Sequence, residues 1–269
     1  MKTFSAALLL TLACFSAQAQ TAPAFTSTCT EGSTYSSPNS NKRYCETRDL
    51  TLPSPGNQTL NINGEANGGI SVKGWDGSQV LVRAKVSTWA KSDEAASALA
   101  KKVTVKSAGN DLRADGPNQG EDGWAVSYEV FVPRKTALAL RTVNGGITLK
   151  DLDSTIKFDA VNGGVNLTNV SGQVKGNTVN GGLHIKLAGT KWEGQGLDVA
   201  TTNGGITWDL PKDYSAQFYT STTIGSISSD KLPVTKSGFM HKEITANLGR
   251  GGAPVKAVTT NGGIKVKQQ

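Results

Sequence analysis

Residues 161–165, which read VNGGV, are the cleanest of six copies of one short motif in this chain of 269 residues. The other copies read ANGGI, VNGGI, VNGGL, TNGGI and TNGGI, and they begin at Ala66, Val143, Val179, Thr202 and Thr260. Asn-Gly between apolar residues is the strongest short-range signal for a β-hairpin. The first question is therefore whether the chain holds six hairpins or one corner of a coil that recurs along a stack.

The spacing of the copies favours a repeat. Four successive asparagines, from Asn144 through Asn162 and Asn180 to Asn203, are separated by 18, 18 and 23 residues. A degenerate copy, TIGSI at 223–227, follows 21 residues later, and the copy with Asn261 comes after a longer interval, as the expected terminal coil. Self-similarity at about this period is typical of repeat architectures.

Each position of the repeat also keeps its residue size from copy to copy. The position two residues before the asparagine carries small residues, namely Thr142, Ala160, Thr178, Thr201, Thr222 and Thr259. Parallel stacking lays each residue about 4.8 Å above its own equivalent, whereas hairpins in a meander pair unlike positions. The sequence therefore predicts an all-β fold, a parallel β-helix or β-solenoid with coils of about 18–23 residues, in preference to an antiparallel meander.

At such a corner the NGG motif has a structural explanation. Glycine is expected to supply a positive φ, which a β-branched residue adopts only at a cost. The asparagine amide can donate and accept along a stack, so we predict a corner ladder of Asn144, Asn162, Asn180, Asn203 and Asn261. Turn-like pairs at Asp153-Ser154 and Ser171-Gly172 predict a second corner. A phosphate-binding glycine loop is disfavoured, because strands rather than a helix follow the motif.

The N-terminal residues, MKTFSAALLLTLACFSAQAQ, predict export. A basic residue, an apolar run and the small-x-small site at 17–19 are typical of a secretory signal peptide. Residues 1–19 are therefore expected to be removed, leaving a chain that begins at Gln20 in the periplasm, on the cell surface or in the medium. The alternative is a lipoprotein signal that ends at Cys14. The apolar run is shorter than the ~20 residues of a membrane-spanning helix, and no later segment is predicted to span a membrane.

Three further regions follow the signal peptide. Residues 20–49 are rich in serine and threonine and contain Cys29 and Cys45, which an oxidising compartment is expected to join in a disulfide worth about 3 kcal/mol. Residues 50–137 hold one NGG copy and one predicted helix, DEAASALAKK, capped by Ser92; they are expected to cover an end of the stack. Residues 138–269 are the predicted NGG-repeat solenoid.

The order of these segments resembles a known family. NGGISVKGWDGSQVLV, a short helix, VSYEVFVPRKTALALRTVNGGITLKDL and TVNGGL together resemble the bacterial "putative adhesin" family of β-strand-repeat domains of unknown function, from about Leu50 onward. The resemblance implies a β-helix-like fold, an envelope or extracellular setting and no established catalytic activity.

Charge and composition narrow the partners. The formal net charge is +7, and the basic residues are scattered rather than clustered. In an exported protein this basic balance indicates that the partner is an envelope polysaccharide, an anionic surface polymer or another protein, and it argues against nucleic acid. The alternative is that the charge serves only to keep the protein soluble. The oligomeric state is left open.

Few side chains indicate a site. Lys157 and Lys175 occupy equivalent positions in adjacent coils, and they either splay into solvent or meet an anion. Trp192 lies in the extra residues of a longer coil, where it either stacks on a ligand or folds back onto the core. These three residues are the candidate ligand-binding side chains; no metal or cofactor site is predicted.

The rival function is a carbohydrate-active β-helix enzyme, a polysaccharide lyase or hydrolase, which needs acids that converge on one face. The acids do not recur between coils, because Asp151 and Asp159 are replaced by asparagines one coil later. Asp198 and Asp209 are interpreted as solvated residues, and His184 as a surface histidine. The sequence therefore predicts a binding protein or adhesin without catalytic residues.

Overall fold

The computed structural model describes residues 22–29, 41–118, 120–233, 235–237 and 241–268, with only the backbone of 235–237. The predicted signal peptide and Cys14 lie outside the described residues. The described part holds one helix, α1 (Asp93–Lys102), and nineteen strands. The strands are β1 (Lys42–Pro53), β2 (Leu60–Asn63), β3 (Ile70–Trp75), β4 (Gln79–Ala90), β5 (Thr104–Ala108), β6 (Asp111–Asp115), β7 (Gly123–Pro133), β8 (Leu138–Thr142), β9 (Ile147–Ala160), β10 (Val165–Asn180), β11 (Leu183–Lys186), β12 (Gly196–Asn203), β13 (Ile206–Leu210), β14 (Ala216–Ile224), β15 (Ile227–Ser229), β16 (Thr235–Ser237), β17 (His241–Leu248), β18 (Pro254–Asn261) and β19 (Ile264–Gln268).

The repeats stack in parallel register. Except at Asp151, the residues of β9 pair with the residues 18 positions later in β10, as Ile147 does with Val165. The first half of β10 continues into β11, β13 and β19, and its second half into β12, β18 and β14. The NGG motifs join these two runs of strands and are not hairpin turns. The fold is all-β and solenoid-like.

Alternation along the strands places the apolar rows inside. Ile147, Val165, Leu183, Ile206 and Ile264 form one buried row, and each is at most 2% exposed. The outward residues between them are polar, so each run of strands has one face on a shared core and one face in solvent.

The stacking order departs from the chain order near the C terminus. β18 lies between β12 and β14, and β19 lies between β13 and β15. The copy with Asn261 is therefore inserted between the Asn203 copy and the degenerate copy, and the expectation that it is the terminal coil is wrong. β17 runs antiparallel along one edge of β14. The chain then returns as β18, which pairs with the other edge of β14, on the side of β12.

The expected reason for glycine at the corner is also wrong. No NGG glycine in the described chain has a positive φ. A Cβ added to Gly163 would instead lie 2.0 Å from the carbonyl oxygen of Gly145, and one added to Gly181 would lie 2.0 Å from that of Gly163. The first glycine of each motif is required because successive backbones pass too close together for any side chain.

Buried threonines tie each corner to the next. The hydroxyl two residues before the asparagine donates to the first glycine carbonyl of the adjacent NGG motif. The pairs are Thr142 with Gly68 (2.6 Å), Thr178 with Gly163 (2.8 Å), Thr201 with Gly181 (2.7 Å) and Thr259 with Gly204 (2.8 Å). In the degenerate copy, Thr222 donates in the same way to Gly262 of the adjacent Asn261 copy (2.8 Å). The small-residue row therefore carries specific hydrogen bonds as well as fitting a narrow space.

The second bend lies slightly before the predicted pairs. Asp151 and Asn169 have positive φ values of 56° and 51°, and Gly172 has one of 91°. The pairing of β9 with β10 skips Asp151 and Asn169 and resumes at Leu152 and Val170. Asp and Asn tolerate the left-handed region better than most residues, which places the bend two residues before Asp153 and Ser171.

Residues before the main stack pair with its first strands. β6 pairs with β2, and β7 pairs with β3 and with the antiparallel β4. Helix α1 begins after Ser92, whose hydroxyl accepts from the Ala95 amide at 3.2 Å. Its buried Ala96 and Ala100 face the β1–β4 pair.

An N-terminal strap, residues 22–29, lies across β4 and β7. Cys29 is joined to Cys45 of β1 by the predicted disulfide. Glu129 accepts hydrogen bonds from the amides of Thr26 and Ser27 at 3.0 and 2.7 Å. Phe25 contacts Phe131 with ring centroids 5.3 Å apart. These contacts cover Phe131, the aromatic side chain on the outer side of β7.

Candidate functional site

One solvent-facing side of the stack is strongly basic. We call it the lysine face; it consists of the outward residues of β3, β11, β13, β19 and the first halves of β9 and β10. In lateral register it carries the row Lys73, Lys150, Thr168, Lys186, Asp209 and Lys267. The parallel row is Ser71, Thr148, Asn166, His184, Thr207 and Lys265. Five exposed lysines thus share a surface with a single carboxylate.

The spacing of this surface follows from strand geometry. Adjacent strands lie about 4.8 Å apart, so the six strands place the charges along roughly 24 Å. Lys150 and Lys186 are two strands apart, at about 10 Å, with Thr168 between them. Hydroxyl and amide side chains of the second row lie beside the lysines. The arrangement can therefore contact a long ligand through charges and hydrogen bonds at the same time.

The one carboxylate on this face is already engaged. Asp209 Oδ2 lies 2.8 Å from His184 Nε2, and its Oδ1 lies 3.8 Å from Lys267 Nζ. Its side chain is only 16% exposed, so the interpretation of Asp209 as a solvated residue is wrong. His184 is exposed, as interpreted, but it is a hydrogen-bond partner of Asp209. Lys73 and Lys150 have no acidic neighbour in these two rows, whereas Lys186 pairs laterally with Asp209.

The sequence carried a signal for the lysine face that the motif alignment above did not use. Its members lie six residues after the NGG asparagine, as Lys150 does after Asn144 and Lys186 after Asn180. An alignment of only the apolar and small positions of the repeat does not include this row. The row is also interrupted, because Thr168 and Asp209 stand where the other copies have lysine.

The predicted pair, Lys157 and Lys175, lies on the other solvent-facing side. We call this the cleft face; it consists of the outward residues of β8, β12, β14, β18 and the second halves of β9 and β10. Lys157 pairs laterally with Lys175, and both are exposed. Asp198 follows in the same row and then Lys256, whose Nζ lies 3.3 Å from Asp198 Oδ1. Basic and acidic groups therefore mix on this face.

The prediction that Trp192 is an accessible ligand-binding aromatic is wrong, because its side chain is buried. Its side chain is 4% exposed, and its Nε1 donates to the carbonyl oxygen of Gly172 at 3.0 Å. The loop after β11 turns the ring onto the core, where it fills the space beside the second bend. Trp192 is a core residue.

The ladder asparagines lie in one exposed line along the corner. Each Nδ2 donates to the Oδ1 of the preceding rung: Asn162 to Asn144 and Asn180 to Asn162 at 2.8 Å, and Asn203 to Asn180 and Asn261 to Asn203 at 2.9 Å. Asn144 donates in turn to Asn67 at 3.0 Å. On its far side Asn261 pairs with Ile224, which offers no amide. The ladder is structural and remains open to solvent.

The acids considered for catalysis are kept apart. Asp198 lies on the cleft face and Asp209 on the lysine face, on opposite sides of an NGG corner. Asp151 accepts from Asn169 at 2.7 Å at the second bend. None of these carboxylates faces another across a common cleft.

No helix in the described residues is long and apolar enough to cross a membrane. The fold and these faces define an all-β, solenoid-like repeat domain with two exposed sheet surfaces. The chain matches the model of the Toastrack DUF4097 family over residues 30–267 and belongs to that family. The family resemblance inferred from the motifs is thereby confirmed.

Three solved structures are similar to the chain at low identity. A "putative cell adhesion protein" from Clostridium sporogenes is 14% identical with a TM-score of 0.41, covering 85% of this chain and 100% of that one. A "putative adhesin" from Bacteroides fragilis is 11% identical with a TM-score of 0.32, covering 84% and 97%. A "putative lipid binding protein" from Parabacteroides distasonis is 13% identical with a TM-score of 0.32, covering 83% and 96%. No curated protein matches.

Proposed function

We propose that this protein is an exported, non-catalytic binding scaffold, adhesin-like in role, which holds an anionic polymer of the cell envelope on its lysine face. The scaffold is a parallel β-solenoid with coils of 18 to 23 residues, so the ligand runs along the stack and meets equivalent side chains on successive strands. The observation that carries the proposal is the lateral register of Lys73, Lys150 and Lys186, whose one acidic lateral neighbour, Asp209, is already in contact with His184 and Lys267.

Charge complementarity supports a polymer rather than a small anion. A row of like charges about 5 to 10 Å apart repels itself, and the repulsion is relieved when a polyanion replaces the counterions. A single phosphate or carboxylate would neutralise only one of these lysines. Exposed lysines keep their solvation in the free protein, so binding is expected to depend strongly on ionic strength.

The geometry of the face supports a carbohydrate in particular. Three polar residues lie beside the lysine row: Thr148 and Asn166 are exposed, and Thr207 is half-buried. Hydroxyl and carboxamide groups both donate and accept hydrogen bonds, which suits the hydroxyls of a polysaccharide. An acidic polysaccharide offers both kinds of partner along one chain.

Export is part of the same proposal. The N-terminal sequence predicts removal of residues 1–19, and the Cys29–Cys45 bond suits an oxidising compartment. Intact-mass measurement of native material is expected to show a chain that begins at Gln20 and carries the disulfide; a diacylated chain that begins at Cys14 would contradict this part of the proposal.

The experiment that separates binding from catalysis is incubation of the purified protein with a panel of acidic and neutral polysaccharides. We expect retention of the acidic polymers, intact, in a co-sedimentation or affinity-gel assay. Release of reducing ends or unsaturated uronates that disappears in Asp198→Ala or Asp209→Ala would establish the polysaccharide lyase or hydrolase instead.

A further inference from the structure

The cleft face contains a small cleft, and none of the residues that line it belongs to the lysine face. Its volume is about 270 Å³, and it is lined by Gln173, Lys175, Gln195, Asp198, Pro254 and Lys256 around a floor of Val174, Gly196 and Leu197. This volume lies just below the range typical of sites for drug-sized ligands, so the cleft suits one small ring rather than a long chain.

One lining residue of the cleft, Gly196, must be a glycine. Gly196 opens β12 and pairs laterally with Gln173 of β10. Its φ is +125°, and an added Cβ would lie 2.4 Å from the carbonyl oxygen of Pro254. No other residue fits there without strain, so glycine is needed for the close approach of Pro254 to this strand at the edge of the cleft.

Two ammonium groups flank this depression. Lys175 and Lys256 both pair laterally with Asp198, from opposite sides, so their backbones lie about 10 Å apart. Lys256 is held by Asp198 at 3.3 Å, whereas no ion pair of Lys175 occurs within the described residues. Two cations and one carboxylate leave one positive charge to be matched by a ligand.

The remaining lining suits a sugar ring. Gln173 and Gln195 offer carboxamides, and Asp198 keeps acceptor capacity for hydroxyl donors. Pro254 is exposed and presents an apolar ring at one wall, and the lysine stems add methylene groups. An apolar wall with a few convergent polar groups is the usual composition of a small-ligand site.

We infer that this cleft binds a single acidic pyranose, with the carboxylate of the sugar at Lys175, its hydroxyls at Asp198 and the two glutamines, and its C–H face against Pro254. The site does not depend on the lysine face. It therefore gives the protein a way to recognise one acidic sugar on the side opposite to the proposed polymer surface.

The test is an NMR titration of the folded, disulfide-bonded protein with galacturonate and, separately, with galactose. Galacturonate is expected to shift the amides of residues 173–175, 195–198 and 255–256, and galactose is expected to bind at least fivefold more weakly, because a charge-assisted contact is lost. Lys175→Gln and Asp198→Asn should each weaken galacturonate binding by about five- to tenfold.

Two controls decide the interpretation. Lys157→Gln, one strand away in the same row, should change the affinity by less than about twofold. The double variant Lys150→Glu/Lys186→Glu should bind galacturonate as the unaltered protein does, whatever happens to polymer binding. Shifts located elsewhere, equal binding of galactose, undiminished binding by Lys175→Gln, or no saturable binding would each overturn the inference.

Discussion

The hydroxyl of Thr178 donates a 2.8 Å hydrogen bond to the carbonyl oxygen of Gly163, fifteen residues earlier in the chain. Thr178 is 1% exposed, so this bond lies inside the stack and joins one coil to the corner of its neighbour. The same bond recurs at four other corners. The threonine and the glycine that recur in the sequence are therefore two halves of one contact.

Ala160 occupies the threonine position opposite Gly145 and has no hydroxyl to donate. Ala160→Thr is expected to raise the free energy of unfolding by about 1 kcal/mol relative to Ala160→Val, which has the same shape but no donor. Urea unfolding of the two variants measures the difference. Equal stabilities would show that the threonine row only fills space.

The two glycines of one motif are expected to differ sharply. Gly163→Ala places a methyl group 2.0 Å from the Gly145 carbonyl oxygen, whereas the nearest atom to a Cβ on Gly164 is 3.5 Å away. Gly163→Ala should cost at least about 3 kcal/mol through overpacking, and Gly164→Ala less than about 1 kcal/mol. Thermal and urea unfolding compare them. Similar losses at both positions would contradict the close approach of the backbones.

Asn162 lies between two ladder partners, and Asn261 has an asparagine on one side. Because the ladder is exposed, each amide bond contributes at the low end of the usual range, about 0.5 kcal/mol. Asn162→Ala is therefore expected to cost about 1 kcal/mol and Asn261→Ala about half of that, measured by urea unfolding. A larger loss at Asn261 would show that the amides do not act as a ladder.

The N-terminal strap should respond to acid through Glu129. Burial raises the pKa of this carboxyl, but the hydrogen bonds from Ser27 and Thr26 outweigh it and leave the pKa below its ordinary value of 4.5. A lowered folded pKa means that the contact is fully present above pH 4.5 and is lost as the pH falls through the folded pKa. Amide resonances of the strap should stay constant from neutral pH to about pH 4.5 and change below it. In Glu129→Gln this acid step should be absent; if it persists, another group controls the strap.

The repeat could be read from the sequence because lateral pairing preserves residue type. Parallel register lays Val165 on Ile147 and Thr178 on the small Ala160, so size is conserved at a fixed interval. The reason for the glycines could not be read in the same way. Close approach of two backbones is a property of the assembled stack, and Asn-Gly-Gly alone fits a positive φ equally well.

The order of the last coils and the position of Trp192 were also beyond the sequence. The Asn261 copy is identical in sequence to the Asn203 copy, but this identity does not predict its insertion next to that copy, which depends on the return of β17 along β14. Trp192 lies in a loop whose composition does not say which way the ring turns. The lysine face, by contrast, could be predicted, because lysine stands six residues after four of the six NGG asparagines.

The most direct measurement of the central claim is the affinity of the protein for a linear polyuronate as a function of salt. The unaltered protein is compared with Lys150→Glu/Lys186→Glu and with the control Lys42→Glu/Lys231→Glu, which makes the same charge change at exposed positions off the lysine face. We expect affinity to fall steeply with salt, the lysine-face variant to lose at least about tenfold at low salt with a shallower salt dependence, and the control to lose less than about threefold. Equal losses in the two variants, or binding that ignores salt, would contradict a polymer site on the lysine face.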